Sequence, residues 1–237
     1  MNHSDYLRIT PKPGEIERSA EEYAADRLKM VETQLRRRGI KDPSVLEAIA
    51  RTPRHEFVPH EFRHRAYDDV PLPIGDGQTI SQPYMVAEIT AALHLTGTER
   101  ILEVGAGCGY QAAVLAYLAH EIFAIEFRPD LAAAATDRLA RMGYANIHVH
   151  AGDGTLGLPE FAPFDCIVVS AAAPAPPPPL LAQLAEGGRM VVPVGDVENQ
   201  ELQIIHRQHG NFRKIILDSC RFVPLVGAHG WKDLSFP

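Results

Sequence analysis

The stretch Glu103-Val104-Gly105-Ala106-Gly107-Cys108-Gly109-Tyr110 decides the fold, because it joins a predicted strand to a predicted helix through three glycines. Residues 100–104 form the predicted strand, and the helix is expected over residues 110–118. Glycine lets the backbone turn sharply and lets a ligand approach the main chain closely. Ligands of open α/β sheets lie at the carboxyl ends of strands, so this loop is a candidate cofactor site. Its candidate binding residues are Glu103, Gly105, Gly107 and Gly109.

Strands and helices alternate on the C-terminal side of this loop, which is typical of a parallel sheet covered by helices on both faces. The further strands expected are residues 122–126, 147–150, 165–169 and 189–194, with helices over residues 129–142 and around 180–184. Residues 202–205 and 214–217 are also predicted strands, and their short connection suits an antiparallel pair. The sequence therefore predicts an α/β, Rossmann-like fold with a mostly parallel central sheet and an antiparallel C-terminal strand pair.

The part of the chain before residue 97 is predicted to be mainly helical. One helix is expected over residues 20–38, ending at Gly39, and a second begins at Asp42-Pro43, where aspartate caps the helix and proline takes its first position. Residues 53–77 contain several prolines and are predicted to be mainly loop. The predicted organisation is a flexible arm (1–19), a helical region (20–96) and a cofactor-binding domain (97–237), with residues 20–237 forming one compact unit.

Composition argues against several classes of partner. The formal net charge of -7 is unfavourable for nucleic-acid binding, and Arg36-Arg37-Arg38 is interpreted as a set of cations at a helix C-terminus. No stretch is long and apolar enough to cross a bilayer or to act as a signal peptide. The three cysteines, Cys108, Cys166 and Cys220, are too scattered for a disulfide framework or a metal site. We therefore expect a cytoplasmic protein without a metal, and a monomer by default.

Two classes of ligand compete for the glycine loop. A dinucleotide requires the pattern Gly-x-Gly-x-x-Gly, but Tyr110 stands where the third glycine belongs. S-adenosylmethionine (SAM) has no phosphates, and it needs an acid for its ribose hydroxyls. Glu126 ends the second strand, about 20 residues past the loop, where a ribose-binding acid belongs. Asp153, in Gly152-Asp153-Gly154, could accept a hydrogen bond from adenine. The alternatives are a solvated charge for Glu126 and a plain turn for Asp153.

The segment Gly77-Gln78-Thr79-Ile80-Ser81-Gln82-Pro83 resembles the substrate-side signature of the protein-L-isoaspartate O-methyltransferase family. The glycine loop, residues 102–111, resembles the SAM loop of that family. Residues 171–174, residues 187–195 and the stretch Arg221-Phe222-Val223-Pro224-Leu225-Val226 are also similar to it. These similarities follow the family's order from about residue 30 to residue 226.

The resemblance implies a class I SAM-dependent methyltransferase fold and an activity on damaged proteins. Members methylate the free α-carboxylate of L-isoaspartyl residues in proteins and peptides, release S-adenosyl-L-homocysteine (SAH), and so start repair through a succinimide. Carried over residue by residue, the resemblance implies an active-site hydroxyl at Ser81 and substrate binding at Thr79, Ser81 and Val226. It implies that Gln78, Thr79 and Ile80 line the cleft and bind the cofactor. For the cofactor it also implies ribose binding at Glu126 and adenine binding at Asp153 and Gly154.

The chemistry implied by this resemblance needs no general base, because a carboxylate with a pKa near ~4 is already ionised at neutral pH. Ser81 would orient the carboxylate by hydrogen bonding, or would simply cap the helix that follows. Three other functions remain open at this point. They are methylation of an aspartate in one dedicated partner, a SAM-binding sensor without activity, and a nicotinamide-dependent oxidoreductase.

Overall fold

The structure is a computed structural model, and it describes residues 18–232 of the 237-residue chain. The chain forms two compact units that divide between Ala91 and Ala92. The predicted flexible arm lies almost entirely outside the described residues. A domain boundary at residues 96 and 97, and a single compact unit over residues 20–237, stay predictions.

The N-terminal unit begins with the predicted helix. Helix α1 covers Ala20–Met30, and its first turn is closed by a capping box between Ser19 and Glu22. The helical path continues through a π-helical turn, Val31–Leu35, and a 3-10 turn, Arg36–Arg38, to the left-handed Gly39. The remaining helices of this unit are α2, Pro43–Arg51, capped by Asp42 as predicted, and α3, Pro83–Ala92.

The prediction that residues 53–77 are mainly loop was wrong in part. This region contains two 3-10 turns, Arg54–Phe57 and His60–Arg65, and a short strand, β1, Leu72–Gly75. Strand β1 pairs antiparallel with β2, Gln78–Ile80. The hairpin forms because Asp76 and Gly77, with φ of 49° and 68°, make the two-residue turn whose twist suits adjacent strands.

A buried polar network stabilises the N-terminal unit. The Tyr67 hydroxyl lies 2.7 Å from His55 Nδ1, and Arg27 Nη1 donates to the same hydroxyl at 3.3 Å. The Tyr23 ring stacks on the His55 ring with centroids 3.9 Å apart. Burial lowers the pKa of His55 from 6.5 to about 4, against the opposing charge of Glu56. His55 is therefore neutral in the folded protein at neutral pH.

We expect acid to destabilise the N-terminal unit through His55. Because its folded pKa is depressed, its contribution is present above pH 6.5 and is lost as the pH falls towards about 4. One pKa unit corresponds to about 1.4 kcal/mol, so the loss reaches up to about 3 kcal/mol. Urea unfolding between these pH values should show a shallower pH dependence for His55→Gln than for the wild type. His60→Gln, at an exposed histidine, is the control and should keep the wild-type pH dependence of unfolding. If His55→Gln also kept it, His55 would not be the group responsible for the loss of stability in acid.

The C-terminal unit is built on a seven-stranded sheet with the order β5-β4-β3-β6-β7-β8-β9. Strands β3 to β7 pair in parallel, and β7, β8 and β9 pair antiparallel. The strands are β3, Arg100–Val104; β4, Glu121–Glu126; β5, Ile147–Ala151; β6, Phe164–Val169; β7, Leu184–Gly195; β8, Gln200–Gln208; and β9, Asn211–Cys220. The helices are α4, Tyr110–Leu115; α5, Pro129–Arg141; and α6, Pro178–Gln183. The predicted Rossmann-like fold and the antiparallel C-terminal pair are confirmed.

The strand order places the glycine loop at the centre of the sheet. The chain builds β4 and β5 on one side of β3 and then continues with β6 on the other side, so the order reverses at β3 and β6. The ends of these strands are in register, with Val104 opposite both Ile125 and Val169. A buried apolar cluster that includes Leu102, Phe164 and Met190 fixes the sheet beneath them. The carboxyl ends of β3, β4 and β6 therefore open at the switch point where such folds bind ligands.

Candidate active site

The glycine loop leaves β3 in a conformation that depends on glycine. Gly105, Gly107 and Gly109 have φ of 85°, 53° and 86°, which side-chain-bearing residues rarely adopt. The backbone N–H groups of Gly105 and Ala106 both donate to the Ile125 carbonyl, at 2.8 and 3.2 Å. These bonds tie the loop to the end of β4. The main chain of the loop is therefore fixed next to the strand that carries Glu126.

Glu126 is a structural part of this loop and not a solvated charge. Its Oε2 accepts a hydrogen bond from Gly107 N at 2.8 Å, and its Oε1 accepts one from Arg128 N at 3.0 Å. The residue is only 6% exposed. A carboxylate has about four acceptor positions, so two bonds leave capacity for a ligand hydroxyl. The geometry fits the ribose-binding role that the sequence suggested, and that role stays a prediction.

Glu103 is completely buried at the end of β3, and neither carboxylate oxygen has a hydrogen bond of normal geometry within residues 18–232. Burial raises the pKa of Glu103 well above its usual value, and the nearby Glu126 carboxylate raises it further. A weak interaction with the Ala112 backbone N–H lowers the pKa in part. The side chain is therefore a buried acid that favours its protonated form. An unpaired buried carboxyl is costly, and it is available to a ligand or a proton.

We expect this acid to make the cofactor-free protein less stable at high pH. The folded pKa is raised, so the stabilising contribution is complete below the unfolded value of 4.5 and is lost as the pH rises through the folded value. As the pH rises above 4.5, the free energy of unfolding of the wild type should therefore fall relative to that of Glu103→Gln. Chemical denaturation of both proteins measures this difference. The exposed Glu160→Gln is the control, and parallel curves for Glu103→Gln and wild type would refute the assignment.

Asp153 caps the 3-10 turn Gly154–Leu156 at the carboxyl end of β5. Its Oδ1 accepts from the backbone N–H of Thr155 at 2.9 Å and from the Thr155 hydroxyl at 2.6 Å, and its Oδ2 accepts from Ala228 N at 2.8 Å. A Cβ on Gly154 would lie 2.6 Å from Val104 Cγ1, so only glycine fits there. The Asp-Gly pair is thus a turn, as the alternative proposed. The turn also brings the Asp153 carboxylate to the strand ends where adenine binding was predicted.

In the N-terminal unit, the predicted substrate segment forms β2 and the entry to α3. Ile80 is buried, while Gln78, Thr79 and Ser81 are partly exposed. The Ser81 hydroxyl has no hydrogen-bond partner among residues 18–232. The first-turn N–H of Tyr84 is instead bound by Asp69 Oδ1 at 3.3 Å. The structure therefore gives no support to the alternative that Ser81 serves as a helix cap, and it leaves the hydroxyl available.

Several residues that shape the site carry no recognisable sequence signal. Arg138, on α5, donates from Nη1 to the Cys108 carbonyl at 2.9 Å, and this bond ties the glycine loop to α5. Asp69 replaces Ser81 as the partner of the α3 N-terminus, and Thr155 links Asp153 to the C-terminal segment. Each of these contacts joins positions distant in sequence, which local patterns cannot reveal.

The structure thus brings the predicted residues of the C-terminal unit together at the carboxyl ends of β3, β4 and β5. These residues are Glu103, Gly105, Gly107, Gly109, Glu126, Asp153 and Gly154. Residues 18–232 contain no helix with the length and apolar character needed to span a bilayer. The same residues include no cluster of three or more histidine, cysteine, aspartate or glutamate side chains arranged to hold a metal ion.

Comparison with known proteins identifies the family. The family model described as protein-L-isoaspartate(D-aspartate) O-methyltransferase (PCMT) matches residues 26–230. The chain belongs to the PCMT family. It is 52% identical to the protein-L-isoaspartate O-methyltransferase of Koribacter versatilis over 209 residues, covering 88% of this chain and 94% of that protein. It is 55% identical to protein-L-isoaspartate O-methyltransferase 1 of Syntrophobacter fumaroxidans over 204 residues, which cover 86% of this chain and 95% of that protein.

A solved PCMT structure from Plasmodium falciparum, in complex with SAH, shares the fold. It superimposes with a TM-score of 0.74 at 25% identity, over 84% of this chain and 98% of that one. SAM is the cofactor of the PCMT family. The residues of this chain fit such a cofactor. A fixed glycine loop, an acid with spare acceptor capacity at Glu126 and an unpaired buried acid at Glu103 occur together at the strand ends.

Proposed function

We propose that this protein transfers a methyl group from SAM to the free α-carboxylate of L-isoaspartyl residues in damaged proteins and peptides, and thereby starts their repair through a succinimide. The observation that carries the proposal is membership of the PCMT family over residues 26–230, with relatives of that name more than 50% identical. These relatives match along nearly their whole length. The substrate segment around Ser81 is complete in this chain.

The cofactor-binding roles follow from the strand ends of the C-terminal unit. Glu126 accepts from the ribose hydroxyls, because it retains acceptor positions after binding Gly107 and Arg128. Asp153 and Gly154 bind adenine at the end of β5. The glycine loop and Glu103 would hold the methionine part of the cofactor. The remaining cofactor-binding residues proposed are Gln78, Thr79, Ile80, Gly105, Gly107 and Gly109. When bound, SAM supplies an activated methyl group and is left as SAH.

The substrate-binding roles belong to Thr79, Ser81 and Val226. The α-carboxylate of the substrate is ionised at neutral pH, so no residue has to remove a proton. Opposite charges cancel during the transfer, so alignment contributes more than stabilisation of a developing charge. Ser81 donates a hydrogen bond to the carboxylate and fixes its direction of attack. Its hydroxyl is free for this task, since it has no partner among the described residues.

The proposed function also includes a cellular compartment, an oligomeric state and a class of partners. We place the protein in the cytoplasm as a monomer, with isoaspartyl proteins and peptides as its partners and no nucleic-acid or membrane partner. The negative net charge supports the absence of a nucleic-acid partner. The arginines at positions 36 and 38 pair with Glu32 and Asp69, so they serve local contacts.

The experiment that tests the proposal follows repair itself. An L-isoaspartyl peptide is incubated with the enzyme and SAM, and chromatography separates its isoaspartyl, succinimidyl and aspartyl forms over several turnovers. We expect the isoaspartyl form to decline and the aspartyl form to accumulate only when SAM is present. Recovery of unchanged isoaspartyl peptide, together with methylation of one protein recovered stoichiometrically from the cell, would favour the dedicated-partner function instead.

A further inference from the structure

Three side chains of the N-terminal unit meet at the start of α3, the helix that follows the Ser81 segment. The Arg38 guanidinium pairs with Asp69 Oδ2 and also lies over the Tyr84 ring, with Arg38 Cζ 3.6 Å from the ring centroid. Asp69 uses its other oxygen, Oδ1, to accept a hydrogen bond from Tyr84 N at 3.3 Å. Each of these three residues therefore contacts the other two. We call Arg38, Asp69 and Tyr84 the α3 anchor.

The α3 anchor is attached to a fixed stretch of backbone through the residues just before Asp69. Arg54 Nε donates to the Ala66 carbonyl at 2.8 Å. Gln34 Nε2 donates to the Tyr67 carbonyl at 2.8 Å. Ala66 and Tyr67 are both buried. The carboxylate of Asp69 therefore projects from a main chain that two other side chains hold in place.

The anchor holds the Ser81 segment on the side that the β1–β2 hairpin leaves free. Before Ser81, strand β2 pairs with β1, and Ile80 lies opposite Leu72. After Ser81, the first N–H groups of α3 have no partner within the helix, and a negative charge there is favourable. Asp69 supplies both the acceptor and the charge, at a position three residues beyond Ser81. The main chain that carries Ser81 is therefore fixed at both ends.

Arg38 is better placed to fix a direction than to stabilise the fold. Its side chain is 45% exposed, that of Asp69 is 25% exposed, and ion pairs open to solvent contribute little to stability. The planar guanidinium binds the carboxylate and covers the Tyr84 ring at the same time. An ammonium group is a point charge and does not reproduce both contacts. Arg38 thus sets the orientation of the carboxylate that binds the start of α3.

We propose that Arg38 is a positioning residue for methyl transfer: it holds the α3 anchor closed and so fixes the direction of the Ser81 hydroxyl. This inference rests on the proposed function, in which that hydroxyl orients the substrate carboxylate. Arg38 acts through Asp69 and does not itself contact the substrate. Without Arg38 the hydroxyl is still present but takes several directions, which slows transfer within the bound complex more than it weakens binding.

The substitution Arg38→Ala tests the inference in single-turnover experiments with an isoaspartyl peptide. We expect the maximal rate of methyl transfer to fall about tenfold, because a group that orients the substrate is partly misplaced. The peptide concentration for half-maximal rate and the Kd of SAH should stay within about twofold of the wild type. The melting temperature should stay within about 3 °C, since the ion pair is exposed.

Arg36→Ala is the matched control. Arg36 lies in the same 3-10 turn, carries the same charge and pairs with Glu32 at 3.0 Å, but it has no described contact with the α3 anchor. We expect this variant to keep the wild-type rate. Arg38→Lys, which keeps the charge without the planar group, should have a rate between those of Arg38→Ala and the wild type.

A double-variant cycle shows whether Arg38 acts through Asp69. Asp69→Asn removes the charge that binds Arg38, so it should also lower the maximal rate about tenfold. The double variant Arg38→Ala/Asp69→Asn should be about tenfold slower than the wild type and not about 100-fold slower, because both changes break the same contact.

The outcomes separate this inference from the proposed function. A wild-type rate in Arg38→Ala, an equal loss in Arg36→Ala, or a double variant about 100-fold slower than the wild type would overturn the role of Arg38. In each of these cases the wild-type protein still methylates the isoaspartyl peptide. A wild-type protein that binds SAH but methylates neither the isoaspartyl peptide nor its aspartyl counterpart would refute the proposed function itself.

Discussion

Replacing Glu126 with glutamine is expected to weaken SAM binding by about 100-fold. The wild-type carboxylate accepts hydrogen bonds from Gly107 N and Arg128 N and keeps acceptor capacity for the ribose. The amide of glutamine has one end that donates, so one of these N–H groups would face another donor. Hydrogen bonds to charged groups contribute about 1.5–3 kcal/mol each, and about 2.7 kcal/mol corresponds to 100-fold in Kd.

Isothermal titration with SAM and with SAH measures this effect directly. Glu121→Gln is the matched control, because Glu121 starts the same strand and is 31% exposed in its side chain, where it pairs with Arg100. We expect the control to bind the cofactor like the wild type. A Kd for Glu126→Gln within about threefold of the wild-type value would remove Glu126 from the cofactor site.

Replacing Ser81 with alanine is expected to lower kcat/KM for an isoaspartyl peptide by about 100-fold. Misplacement of a reacting group by about 1 Å can cost this much, and the proposed task of Ser81 is to place the carboxylate. The Kd of SAM and the melting temperature should change little, because the Ser81 hydroxyl has no bond within residues 18–232. The capping alternative predicts the opposite pattern, with unchanged turnover and a loss of about 1 kcal/mol in stability.

A second serine of the same unit provides the contrast. The Ser19 side chain accepts from Glu22 N and caps α1. Ser19→Ala should therefore lose about 1 kcal/mol of stability with unchanged kcat/KM. Steady-state kinetics and thermal unfolding of both variants decide between the roles. If Ser81→Ala behaved like Ser19→Ala, the assignment of Ser81 to the reaction would be wrong.

Much of the C-terminal unit could be predicted from local patterns, because runs of apolar residues mark its strands. The ends were less well defined: β8, Gln200–Gln208, and β9, Asn211–Cys220, extend beyond the predicted residues 202–205 and 214–217. The glycine loop predicted the position of the site, since a strand, a sharp turn and a helix follow one another at residues 100–115. The β1–β2 hairpin was missed although Asp76-Gly77 is a recognised turn signal. Pro71 and Pro73, just before the turn, favour a loop, and strands of four and three residues are too short to show a period of their own.

The contacts that complete the site could not be predicted in the same way. Asp69 binds the N-terminus of α3 from 15 residues away, and Arg138 reaches the Cys108 carbonyl across 30 residues. Ala228 N donates to Asp153 across 75 residues. Such bonds depend on how strands are ordered in the sheet, and a periodic pattern carries no information on that order.

The most direct test of the account is methyl transfer from labelled SAM to two short peptides that differ only in one residue, L-isoaspartate in the first and normal aspartate in the second. We predict strong, saturable labelling of the isoaspartyl peptide and background labelling of the aspartyl peptide. Labelling of neither peptide by folded protein that binds SAM, or equal labelling of both, would contradict the account.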